Sequence, residues 1–142
     1  MLKPTHRSNI TLPEIFEYIQ SLDSQSDKLE ALGSYSNMNQ LKWFVNAMYN
    51  FDFTDFKIPD YTPNLQPIGL TQTIGRNLSR LEAAIKLHQL GKLERYNDVM
   101  TIVLENVSRD EALLLERLFT NKKLDGVSKA MWKKIYPEFF RS

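Results

Sequence analysis

Apolar residues in this chain recur every three or four positions, in stretches most of which open on a helix-capping signal. Nowhere do they alternate with polar residues as a half-buried strand requires. That periodicity restricts the fold to one built from helices. Thr11-Leu-Pro-Glu14 is a capping box with proline in the first turn, where its missing N–H costs nothing, and Leu12, Ile15, Phe16, Ile19 and Leu22 follow on one stripe. Asp23 or Ser24 caps a second, short helix that carries Leu29 and Leu32 and is expected to stop at Gly33. Asn37 or Asn39 starts a third, with Leu41, Phe44, Val45 and Met48 on one face and Trp43 and Tyr49 at its flanks. The fourth opens at Asn77 or a few residues earlier, aligns Leu78, Leu81, Ala84, Ile85 and His88, and ends at Gly91, a left-handed stop. Leu93 to Asn106 makes a fifth, with Tyr96, Val99, Met100, Val103 and Val107 inward. Ser108-Arg-Asp-Glu111 is a second capping box, whose helix runs to about Thr120 and buries Leu114, Leu115, Leu118 and Phe119. Ser128 caps the last helix, with Met131, Trp132, Ile135 and Tyr136 on its apolar side and Pro137 at its end.

Between the third and fourth helices the pattern changes. Over residues 50–72, Phe51, Phe53 and Phe56 follow neither period, and Pro59, Pro63 and Pro67 remove backbone donors and bias their predecessors away from α. This stretch reads as an ordered connection whose aromatics pack on the helices, with room for a short extended piece near Phe51 to Phe53. A connection of this length inside a compact domain is often functional. The expected fold is therefore all-α: about seven helices in one compact irregular bundle, a single domain over residues 1–142. At 42% hydrophobic and 25% charged residues the chain can close such a core, which excludes wholesale disorder. The absence of cysteine excludes disulfides, thiolate nucleophiles and zinc–thiolate sites, and favours a cytoplasmic location. The first residues lack the apolar run of a signal peptide, and no segment is apolar for long enough to span a bilayer, so no membrane partner is expected.

Lys123-Leu124-Asp125-Gly126 matches the lysine-x-aspartate-glycine string that adenylating ligases use for covalent catalysis. That chemistry needs an activated lysine, a nucleotide pocket and acidic residues that hold magnesium. Only sixteen residues follow Gly126, and they spell one helix and a tail. The string is read instead as a turn between helices, with glycine at positive φ. No glycine-rich phosphate loop, Gly-x-Ser-x-Gly elbow or local serine–histidine–aspartate grouping occurs. His6 and His88 are far apart in sequence, and His88, on the apolar stripe of its helix, reads as packed or half-buried rather than a metal ligand. Trp43, Phe44, Trp132 and Tyr136 lie beside apolar helical positions and read as core. The chain is thus expected to be non-enzymatic, with no metal and no cofactor.

Charge is distributed unevenly. Residues 122–142 hold six basic residues (Lys122, Lys123, Lys129, Lys133, Lys134, Arg141) against Asp125 and Glu138, a net of +4 in a chain whose total is +1. The remaining residues therefore carry −3. Lys129 and Lys133 stand at i and i+4, away from Met131 and Ile135, and Lys122 and Lys123 lie in the turn before them. With Ser128 at a helix N-terminus, lysines and helix-end amides together make a surface that can grip phosphates.

Two stretches carry a resemblance to a known family: Ser24 to Tyr49, a short helix of Lys, Ala and Leu type followed by a helix that ends in an aromatic before a proline-rich crossover, and Asp110 to Pro137, an acid-rich helix start, a leucine helix, basic residues, Gly126-x-Ser128, Lys134 and Tyr136-Pro137. In order and spacing these resemble the N-terminal, all-helical DNA-binding domain of ATP-dependent DNA ligases, particularly those of tailed phages. The ligase pattern has an arginine five residues before the hairpin glycine and a leucine three before it, where this chain has Asn121 and Lys123. The resemblance implies a duplex-DNA-facing surface without ligation, in a phage protein acting in the host cytoplasm. Carried over, its DNA-binding candidates are Lys122, Lys123, Gly126, Ser128, Lys129 and Lys134, with Lys133 joining them from its place on the basic face. The alternative is an interaction module that uses the same fold to bind a protein in phage replication or host takeover. An exposed apolar patch from Phe53 to Tyr61 would favour that reading.

Overall fold

A computed structural model of the chain describes residues 2–5, 10–67, 70–120 and 126–140. Seven α-helices form its regular structure among the described residues: α1 (Leu12–Ser21), α2 (Gln25–Tyr35), α3 (Asn39–Asn50), α4 (Leu78–Gln89), α5 (Leu93–Asn106), α6 (Arg109–Phe119) and α7 (Lys129–Ile135). Two 3-10 turns, Ile74–Asn77 and Pro137–Phe140, complete them. No strand occurs among these residues, only one isolated parallel bridge between Gln72 and Val107. The chain is all-α, as the apolar period requires. It divides into two compact units, residues 1–52 with 123–142, and residues 53–122.

The first unit packs α1, α2, α3 and α7 around aromatic rings. Glu14 accepts from the Thr11 backbone N–H at 3.1 Å and from its hydroxyl at 2.8 Å, which fixes the start of α1. The Ser24 hydroxyl accepts from Asp27 N–H at 3.0 Å and starts α2. The expected stop at Gly33 is corrected: α2 continues to Tyr35, and the left-handed glycines among the described residues are Gly91 and Gly126. Glycine weakens a helix by about 1 kcal/mol at most, and full burial of Tyr35 just beyond it outweighs that cost. In α3, Trp43 is buried alongside Leu41, Phe44, Val45 and Ala47, and Met48, expected on that face, is half-buried. Phe16 meets the Phe44 ring at 5.8 Å and lies nearly perpendicular to the Trp132 ring at 6.3 Å. The seven residues of α7 could not hold a helix alone. They are held by burial of Met131 and Trp132 and by the Tyr136 hydroxyl, which donates to Ser36 O at 2.8 Å. Pro137 ends the α-helix but not the helical path, since the chain runs on into a 3-10 turn.

In the second unit, α4 and α5 form an antiparallel pair joined by a tight turn. Gly91, at φ 76°, donates to His88 O at 3.0 Å, and Lys92 N–H reaches back to Leu87 O at 2.9 Å. The pair buries Leu81, Ala84 and Ile85 against Tyr96, Met100, Val103 and Leu104. Ahead of α4 the Thr73 hydroxyl caps the 3-10 turn, so the helical path begins before Asn77. At α6 the Ser108 hydroxyl accepts from Glu111 N–H at 3.2 Å, and the buried Glu111 carboxylate accepts from Ile74 N–H at 3.0 Å, tying α6 to that turn. The irregular connection is anchored side chain by side chain. Phe53 packs on Phe119 at 5.0 Å, Tyr61 donates to Glu116 at 2.8 Å, and Glu105 receives Thr62 N–H at 2.6 Å.

Candidate nucleic-acid interface

Burial of one side of α7 dictates what its other side shows. Met131 and Trp132 face inward, so Lys129, Lys133 and Lys134 are exposed. Ser128 caps the helix, its hydroxyl accepting from Met131 N–H at 3.3 Å, and is itself exposed. Gly126, at φ 88°, makes the turn before it. The conformation calls for glycine, and a Cβ at Gly126 would stand 2.7 Å from Gln20 Cγ, so that flexible side chain would have to shift. Lys28 on α2 donates to Gly126 O at 3.4 Å and adds a cation beside the turn.

The lysines are not independent of their surroundings. Lys129 Nζ and Lys133 Nζ each lie 6.0 Å from the centroid of the same Phe140 ring, within cation–π range. Behind it, Tyr49 meets Phe140 at 4.8 Å, and Asn50 donates to the neighbouring Phe139 O at 3.0 Å. Tyr49, Phe139 and Phe140 are all half-buried. Burial raises the Tyr49 phenol above its ordinary range.

Of the seven residues expected at this surface, Gly126, Ser128, Lys129, Lys133 and Lys134 are brought onto one short segment of the first unit. Lys122 and Lys123 lie outside the described residues, as do Leu124 and Asp125. The two helices expected to form one basic hairpin fall in different units, α6 in the second and α7 in the first. Lys28, Tyr49 and Phe140 were not anticipated. Phe140 sits on a 3-10 turn beyond Pro137, where no helical register links it to the lysines. Trp43, Phe44, Trp132 and Tyr136 are buried, as their helical positions predict.

The second unit has a groove of about 560 Å³ whose lining includes Asp55, Ile58, Asp60, His88, Leu93 and Tyr96. His88 is half-buried there, stacked on Phe56 at 3.8 Å and meeting Tyr96 edge-on at 5.0 Å. Burial pushes the Tyr96 hydroxyl up to about 12, and it donates to Lys57 O at 2.8 Å. His6 lies outside the described residues. Among those described, no group of three or more His, Asp or Glu side chains is placed to hold a metal ion, and no helix is long and apolar enough to cross a membrane.

No known family model, curated protein or solved structure matches this chain.

Proposed function

We propose that this chain is a non-enzymatic phage protein that binds duplex DNA without sequence preference through its basic C-terminal segment. The observation that carries the reading is the exposed set Lys129, Lys133 and Lys134, presented by a helix whose opposite side is sunk in aromatic core. Ammonium groups on a rigid support neutralise phosphates and release counterions, a driving force blind to base identity. The ligase-like order of elements belongs to this reading as a DNA grip alone, and no adenylation step is assigned to Lys123. Incubation with labelled ATP is expected to leave Lys123 unmodified.

The test is binding of a short blunt duplex across a salt series. Affinity is expected to fall with a log–log slope of about −0.9 for each phosphate contacted. The double charge reversal Lys129→Glu with Lys133→Glu is expected to flatten that slope by roughly two units and to weaken binding at least tenfold. Absence of binding at low salt, or an unchanged slope in the double variant, refutes the proposal.

The rival, a protein-docking module, draws on the groove beside His88 and Tyr96. Burial of Phe53 and Phe56 withdraws both phenylalanines from the apolar patch that it would use, leaving Ile58, Pro59 and Tyr61 half-buried.

A further inference from the structure

We infer that the basic face is built for DNA with unpaired bases, and that Phe140, backed by Tyr49, is the platform on which such a base stacks. This rests on the reading of the segment as a DNA-binding surface and goes further by naming the preferred ligand. A surface that reads only duplex phosphates needs cations and donors. It gains nothing from half-buried aromatics at its centre, because base pairs keep their faces to themselves. Here Trp43, Phe44, Trp132 and Tyr136 are buried, while a second set, Tyr49, Phe139 and Phe140, joined to them where Tyr136 meets Phe139 at 5.1 Å, stays partly open to solvent beside the lysines. Aromatic rings alternating with cations are the means by which single strands are held.

The geometry also supplies an exchange. In the free protein the Lys129 and Lys133 ammonium groups share the Phe140 ring, each 6.0 Å from its centroid. At an exposed site such a contact corresponds to about a two- to fivefold preference. A base stacked on an aromatic ring is worth about 5- to 150-fold in affinity. When a strand arrives, the ammonium groups can move to adjacent phosphates and the ring they leave can take the base, so both partners gain. Tyr49, at 4.8 Å from Phe140, and the Asn50 bond to Phe139 O hold the ring in place while the lysines move.

The experiment measures affinity of the full chain for three ligands at one salt concentration: a short oligothymidylate, an abasic phosphodiester strand of the same length, and a blunt duplex. The wild-type chain is expected to bind oligothymidylate at least fivefold more tightly than the abasic strand, since their phosphates are alike. Phe140→Leu is expected to erase that difference while the variant keeps the circular dichroism spectrum of the wild-type chain. The retained spectrum shows that the variant is folded. Phe140→Trp is expected to keep the difference. Equal affinity of the wild-type chain for both strands, or a base dependence that survives Phe140→Leu, overturns the inference and leaves duplex binding standing. Failure of all three ligands to bind overturns it together with the proposed function.

Discussion

Three glycines in this chain carry opposite predictions for the same substitution. Gly91 has φ 76° and no atom within 4 Å of where a Cβ would be built, so Gly91→Ala meets no steric obstacle. Its cost is the left-handed conformation itself, about 1–2 kcal/mol for an L-residue. Gly33 also has open space around it, but it lies inside α2, so Gly33→Ala keeps its backbone bonds and removes the entropy penalty of a helical glycine. That variant is expected to gain about 0.5–1 kcal/mol. Gly126 combines φ 88° with a Cβ position 2.7 Å from Gln20 Cγ, so Gly126→Ala bears the conformational cost plus displacement of a flexible side chain. It should be the least stable of the three. In a chain of this length 1 kcal/mol moves the melting temperature by roughly 3–5 °C, which puts the Gly33 and Gly91 variants about 5–15 °C apart. Urea and thermal unfolding followed by circular dichroism measure this directly. A destabilising Gly33→Ala would mean that α2 does end at that glycine, and a neutral Gly91→Ala would refute the left-handed turn between α4 and α5.

Three further outcomes follow from the packing and the site. Trp132, fully buried and in contact with the Phe16 and Tyr136 rings, is expected to cost about 3–5 kcal/mol when cut to alanine, and the lysines of α7 should lose duplex binding with it; both are read by unfolding and anisotropy. Tyr61 and Tyr96 have hydroxyls pushed up to about 12 from 10.0, first by burial and, for Tyr61, next by its bond to Glu116. The folded state thus holds these protons more tightly than the unfolded chain. The stability they contribute is whole below pH 10 and is lost as pH rises through 12, and Tyr96→Phe should make that alkaline fall shallower in denaturant titrations. The third is the charge reversal at Lys129 and Lys133, which should flatten the salt dependence of duplex binding by roughly two units in anisotropy titrations and leave the circular dichroism spectrum unchanged.

Much of the helical order was legible because capping is a local transaction. Thr11, Ser24, Ser108 and Ser128 each cap the helix expected of them, since a cap needs only a side chain and an N–H three residues on. Gly91 was legible for the same reason. Gly33 misled because a glycine stops a helix only where the chain turns left-handed at it, and burial of Tyr35 two residues on keeps α2 on its helical path instead. The exchange of Met48 for Trp43 in the buried set of α3 has a similar origin, since neighbouring elements decide how wide the covered face of a helix becomes. At the surface, the lysines of α7 could be placed from their spacing, but their shared ring could not. The Pro137–Phe140 turn breaks the helical register between them.

By itself the sequence determined the all-α class, most helix starts, the aromatic core positions and the basic character of the last segment. All of these depend on spacing within a turn or two or on composition. Tertiary structure alone decided the rest. The Tyr136 hydroxyl reaches Ser36 across 100 residues and Glu111 reaches Ile74 across 37, and no local rule encodes such pairings. The gathering of Lys28, Tyr49 and Phe140 around the basic segment is of the same kind. It arises because burial of Trp132 and Tyr136 brings distant parts of the chain together, and what stays outside becomes the face that the protein presents.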